Sequence, residues 1–198
     1  MKKFIFLILT LAIPVSIFLF LKIFGNNEFE VPVLFEDGLP GCGNSGQPHR
    51  ITPLKFMSSS GATIDTQDMD GFLIFCVFEV ADTARLDEYI IQLVRIQDAF
   101  YEIGSPTFVL LSDEKGLMSG IIAKTKDIGL QAKHYQLGYL GKSEFSDFFK
   151  CGLGLTSAGS ANLVVADPER RIRGLYDVMD LEQTEQLILE LKILRKQV

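Results

Sequence analysis

The sequence predicts an α/β domain, a mixed central sheet flanked by helices, behind a single N-terminal membrane-spanning helix. Phe72–Phe78 is a run of seven apolar residues rich in aromatic and branched side chains, the pattern of a strand covered on both faces. Leu86, Tyr89, Leu93, Ile96 and Phe100 then recur at spacings of three and four, which makes one face of a helix. The chain opens with an uncharged run of 18 residues, Phe4 to Leu21, between Lys2-Lys3 and Lys22, close to the lower limit for crossing a bilayer.

Composition bounds the rest. At 198 residues there is room for one domain of ordinary size plus extras, and 47% apolar residues exclude a disordered chain. The net charge is −6, and Lys2, Lys3 and Lys22 all precede the first acidic residue, Glu28. The acidic remainder repels phosphate backbones, which argues against nucleic-acid binding. Three cysteines are too few for a disulfide framework or an all-cysteine zinc site.

Residues 1–24 read as an uncleaved anchor. The apolar run is longer than the core of a signal peptide, and Lys22-Ile-Phe-Gly-Asn-Asn offers neither a small-x-small cleavage site nor a cysteine for lipidation. Pro14 is tolerated in a membrane helix as a kink. Lysines before the run and Glu28, Glu30 and Glu36 after it place the N-terminus in the cytoplasm and the acidic body outside. In a bacterium this is a single-pass inner-membrane protein with its domain in the periplasm, where disulfides persist.

Residues 25–53 form an extended lead-in punctuated by Gly25, Pro32, Gly38, Pro40, Gly41, Gly43, Gly46, Pro48 and Pro53, with a short edge strand at Val31–Phe35. The domain proper covers 54–198. Leu54–Met57 and the residues to Ile64 predict a hairpin with a polar turn. After the strand at 72–78, a helix runs from about Asp82 to Glu102, with Asp82 or Thr83 as N-cap and Gly104 as its stop. Thr107–Leu111 is a second buried strand, 114–130 a helix, His134–Leu140 a shorter strand and Lys142–Lys150 a short helix. Asn162–Ala166 and Ile172–Tyr176 pair as an antiparallel hairpin across Asp167-Pro168-Glu169-Arg170, with Pro where a type I turn favours it. The last helix starts at Asp180, with Gln183 in the capping-box position, and buries Leu187, Ile188, Leu191, Leu194 and Val198. Parallel strands joined by helices, then a β-hairpin and a closing helix, is the thioredoxin arrangement. A flavodoxin-like sheet is the competitor, but it lacks the late hairpin.

With these elements in place, the chain resembles the SCO/SenC family, membrane-anchored thioredoxin-fold proteins that bind copper and help assemble cytochrome oxidase. The resemblance covers most of the chain. It rests on the lysine-flanked anchor followed by Asn27-Glu-Phe-Glu-Val-Pro-Val, on Arg95-Ile-Gln-Asp-Ala-Phe, loosely on His134-Tyr-Gln-Leu-Gly-Tyr-Leu-Gly-Lys, and most specifically on Leu163-Val-Val-Ala-Asp-Pro-Glu-Arg-Arg-Ile-Arg-Gly-Leu-Tyr-Asp. The family holds copper with a Cys-x-x-x-Cys at the start of the first long helix and a His before the late hairpin, a soft donor set suited to Cu(I). Alignment on these motifs puts the ligand positions at Asp82, Leu86 and Gly159, so the family's metal ligands are absent and neither a metal nor another cofactor is expected.

Cys76, inside the apolar strand, reads as a small buried hydrophobe. Cys42, in a Gly-rich loop, and Cys151, at the end of a short helix, can bridge in an oxidising compartment and tie the lead-in to the body; two free or separately buried cysteines is the alternative. Cys42, His49, His134 and Met57 could be assembled as a substitute metal site, but Cys-x6-His matches no ligand pattern with a known mechanism. His49 reads as a solvated loop residue and His134 as a strand-edge residue. Gly41-Cys-Gly-Asn-Ser-Gly lacks the Lys and Ser/Thr of a phosphate loop, and no Ser-His-Asp set can be built from two ordinary histidines.

The expectation is therefore a tethered, non-enzymatic SCO/SenC-like accessory that binds a protein partner in copper handling or oxidase assembly. A non-catalytic thioredoxin-fold module with an unrelated partner is the alternative. An active copper chaperone or thiol oxidoreductase is a third reading, and it requires a site the sequence does not offer.

Overall fold

The apolar run at 72–78 becomes an inner strand of a seven-stranded sheet. The computed structural model describes residues 10, 12–20, 22, 30–43, 46–58, 61–79, 84–101, 104–156 and 161–197. Contacts divide the chain into two units, Met1–Glu30 and Val31–Val198. In the first, residues 12–20 are helical and exposed. Most of the anchor expected over 1–24 lies outside the described residues, among which no helix is long and apolar enough to cross a membrane.

The second unit runs β1 (Lys55–Ser58), β2 (Thr63–Asp65), β3 (Leu73–Phe78), α1 (Leu86–Ala99), β4 (Thr107–Ser112), α2 (Lys115–Ile128), β5 (Tyr135–Tyr139), α3 (Lys142–Asp147), β6 (Leu163–Ala166), β7 (Ile172–Tyr176) and α4 (Leu181–Gln197). The sheet order is β2-β1-β5-β4-β3-β6-β7. β3, β4 and β5 are parallel, and the hairpins β1–β2 and β6–β7 are antiparallel, as are the β1–β5 and β3–β6 junctions.

Strand alternation sorts the core into two layers. Ile74, Cys76, Phe78, Phe108 and Leu110 pack with side chains of α1, α2 and α4. Leu73, Phe75, Val77, Val109 and Leu111 pack on the other side with Phe145, Phe148, Leu153 and Leu155, and with Ile51 and Leu54. Each fully buried side chain of this size contributes roughly 1.5–3 kcal/mol.

Several sequence-based boundaries move. α1 begins at Leu86, with Arg85 at the N-cap and no side-chain cap; Arg85 instead pairs with Glu88 at 2.6 Å across the first turn. The expected caps Asp82 and Thr83 lie outside the described residues. Val31–Phe35 is not a strand. Leu34 N–H reaches the Ile172 carbonyl at 2.8 Å, but Pro32 has no N–H to donate and Phe35 turns left-handed at φ 60.

The helix expected over Lys142–Lys150 changes character after Asp147, where Phe148–Gly152 forms a π turn closed by Leu153 N–H on the Phe148 carbonyl at 2.8 Å. A Cβ on Gly152 would sit 2.5 Å from the Phe148 ring, so the glycine lets this wider turn close. The last helix is capped as expected by Asp180, whose Oδ1 accepts from Glu182 and Gln183 N–H at 2.9 and 3.3 Å. Gln183 departs from the capping box: its carbonyl oxygen accepts from Asp177 N–H.

Candidate functional site

β3 delivers the chain to the end of the sheet where parallel strands present their loops. Phe78 and Glu79 leave the sheet there and Leu86 opens α1. β6 enters at the same end, since Leu163 pairs with Cys76 and Val77 N–H donates to the Asn162 carbonyl at 2.9 Å. The Tyr89 hydroxyl, one turn into α1, lies 3.2 Å from the Val77 carbonyl and 3.3 Å from the Asn162 carbonyl, and so ties the two approaches together.

Of the three positions that the resemblance marks for ligands, Asp82 and Gly159 lie outside the described residues. Leu86 is buried at 6% exposure in the layer beneath α1 and α2, with its Cδ2 3.8 Å from where a Cβ on Gly120 would stand. Cys76 faces the same layer with its thiol toward the Ile74 carbonyl, and burial pushes that thiol well above its usual range. It is a packed side chain and a poor nucleophile.

Cys42 and Cys151 are joined by a disulfide, with Cα atoms 5.4 Å apart. The bond fastens the lead-in loop to the π turn. His49 is not a solvated loop residue: it is buried at 1% exposure, because its Nε2 lies 2.8 Å from the Gly152 carbonyl beside the disulfide and the Phe35 ring meets it edge-on at 6.4 Å. A carbonyl only accepts, so Nε2 carries the proton, and Nδ1 has no hydrogen-bond partner.

Cys42, His49, His134 and Met57 are not assembled as a metal site. His134 lies in a short 3-10 turn before β5, not on a strand edge, and Met57 pairs with Tyr139 at the far end of that strand, roughly 13 Å along it at 3.3 Å per residue. Desolvation, and then the charge of Lys133, lower the His134 pKa. Among the described residues no three His, Cys, Asp or Glu side chains are grouped to hold a metal ion.

One cluster escaped sequence reasoning. Asp167, buried at the β6–β7 turn, accepts from Arg171 Nε at 2.8 Å and Arg173 Nη1 at 3.2 Å and from the N–H groups of Glu169 and Arg171 at 3.0 Å each. Arg173 also donates to the Val31 carbonyl. Beside it is a cleft of about 340 Å³ lined by Phe72, Arg171, Arg173, Leu194 and Gln197. It lies at the opposite end of the sheet from the β3–α1 junction, since Ala166 pairs with Leu73. The four charges in Asp167-Pro-Glu-Arg-Arg are the available signal; in the sequence they read as a turn and as part of the family resemblance.

The comparisons fit this topology. The fold is thioredoxin-like. Similar solved structures of this thioredoxin-like fold include a SCO1/SenC family lipoprotein from Bacillus anthracis, at 13% identity and TM-score 0.60 over 74% of this chain and 95% of that one. BsSco, a member of the Sco family of cytochrome c oxidase assembly proteins, aligns at 9% identity and TM-score 0.61 over 79% and 96%. Arabidopsis thaliana ScoI with copper bound aligns at 12% identity and TM-score 0.56 over 75% and 99%. At such identities the likeness is one of fold. No protein-family model matches the sequence, and no curated protein matches it.

Proposed function

We propose that the chain is a membrane-tethered accessory of SCO/SenC type, with its thioredoxin-like domain outside the cytoplasm. It serves copper handling or respiratory oxidase assembly by binding a protein partner, without holding the metal itself. Leu86 carries this reading. It stands in the first turn of α1, where the resemblance requires the second thiolate ligand, and it is an aliphatic side chain buried against α2. No donor atom is available there, and a third of the ligand set is lost whatever the other two positions do. The fold shared with BsSco and with copper-bound ScoI, together with the motifs around Arg95 and Leu163, supports the family side of the proposal.

Cu(I) titration of the full-length protein in detergent, against a variant with all three cysteines replaced, tests the metal side. No difference in affinity is expected. The triple variant Asp82→Cys, Leu86→Cys, Gly159→His should gain Cu(I) binding. Tight stoichiometric binding by the unmodified protein that is lost in the cysteine-free variant overturns the proposal. Crosslinking in membranes tests the partner: an oxidase subunit or a copper-handling protein is expected, and an unrelated partner leaves a plain binding module.

A further inference from the structure

The segment before the first strand turns repeatedly through the left-handed region, which costs its glycines little but is improbable at one residue. Phe35, Gly38, Gly41, Gly43 and Gly46 all have left-handed backbones, and the first of them is a bulky L-residue at φ 60, a conformation that persists only when its surroundings impose it. Within the segment the backbone bonds are few: Gly38 N–H and His49 N–H to the Phe35 carbonyl, Cys42 N–H to Leu39, and Gly46 N–H to Asp37. Its two ends are pinned to the β6–β7 hairpin by Leu34 and Ile51, and what holds residues 35–43 and 46–49 to the body is concentrated on the π turn and the residues just after it. The disulfide reaches Cys151, His49 reaches the Gly152 carbonyl, and Phe35 and Leu39 close over Gly154, where a Cβ would meet them at 2.8 and 2.9 Å. The π turn is itself an uncommon form of helix. Cys42 and Cys151 are both only partly buried, within reach of a small thiol. The strands beneath touch the turn through Phe148, Leu153 and Leu155 but are hydrogen-bonded to one another, with Phe75, Val109 and Val164 at 0% exposure.

We propose that the Cys42–Cys151 disulfide is a redox-operated latch, and that a dithiol reductant which opens it releases Phe35–Gly43 and Gly46–His49 from the 148–154 turn while the sheet stays folded. The exchange is balanced. A thiolate of the dithiol attacks one sulfur, the S–S bond breaks, and the other cysteine leaves as a thiolate and takes a proton. The second thiol of the donor then resolves the mixed disulfide, so the protein gains two electrons and two protons and the donor becomes a disulfide. Release uncovers the His49 imidazole, whose Nδ1 has no partner in the latched form. The inference stands on loop geometry and does not depend on the SCO/SenC reading.

Hydrogen exchange of the full-length protein, oxidised and after dithiothreitol without denaturant, tests it, with alkylation and mass measurement to count thiols. Two thiols should become alkylated, while Cys76 stays protected. Peptides covering 35–49 and 148–155 should exchange at least tenfold faster, through an opening easier than global unfolding, those of β3, β4 and β6 should exchange only as global unfolding allows, and His49 should become modifiable by diethyl pyrocarbonate. The variant Cys42→Ser, Cys151→Ser should reproduce the released pattern without reductant. Three outcomes overturn the latch: a disulfide reduced only after denaturation, confirmed reduction with unchanged exchange in both segments, or exchange of both segments only through global unfolding, which would make the bond a staple of the entire fold.

Discussion

Asp167 and Arg173 meet at the β6–β7 hairpin, with Oδ2 3.2 Å from Nη1 and the side chains only 3% and 11% exposed. Removing one member of such a pair strands the other charge in the interior. Asp167→Ala should cost about 3–5 kcal/mol, read as a lower denaturant midpoint with unchanged slope. A loss within the error of an exposed pair such as Arg50–Glu169 would show that water reaches the Arg173 guanidinium.

The bond between Cys42 and Cys151 spans 109 residues, and cross-links of this kind act mainly on the unfolded chain. Cys42→Ser, Cys151→Ser should lower the global unfolding free energy by about 2–5 kcal/mol. Equilibrium urea unfolding of the oxidised protein and the double variant gives the difference directly.

Cys76 should not react with maleimide in the native protein, because burial raises its pKa and the thiolate is the reactive form. Labelling should appear only in step with unfolding. Rapid native labelling would mean that β3 opens locally.

A Cβ at Gly138 would lie 2.1 Å from Phe56 Cδ2, on the neighbouring strand β1. Gly138→Ala should therefore destabilise by about 1–3 kcal/mol through overpacking, and Phe56→Leu in the same chain should recover part of the loss. Thermal melts of the single and double variants decide it.

Asp180 caps α4, and its carboxyl is held below the usual range chiefly by the side-chain hydrogen bond from Gln183, then by backbone N–H groups of the first turn. A depressed folded-state pKa means a stabilising contribution that is present above the ordinary carboxylate value, about 3.9, and lost as pH falls through the lowered one. Asp180→Asn keeps a capping oxygen but does not titrate. The acid limb of its urea midpoint, followed from pH 5 to pH 2, should be shallower than that of the unmodified protein.

The fold was readable where the physics is local. The seven apolar residues at 72–78, the three-and-four spacing through Leu93 and Ile96, and the proline in the turn after Asp167 each declare themselves within a few positions. His49 could not be read so, because the carbonyl that buries it belongs to Gly152, 103 residues away. The π turn has no sequence period to announce it, and depends on the room that Gly152 leaves beside Phe148. Asp167 reads as an exposed turn acid until Arg173 folds over it toward Val31. At Leu86 the sequence shows an aliphatic residue on the helix face, whereas its packing against α2 emerged only with the tertiary contacts.

The burial of Cys76 bears on which cysteines can pair. Cys42 is synthesised 109 residues ahead of its partner, and Cys76 follows it long before Cys151 appears. In an unfolded chain Cys42 could pair with Cys76, and that mispairing would hold β3 out of the sheet. Once β4 and β6 have flanked β3, the sulfur of Cys76 is sealed at 0% exposure and the competition ends. Burial of Cys76 in the assembled sheet thus leaves Cys42 and Cys151 as the pair open to oxidation in the folded chain.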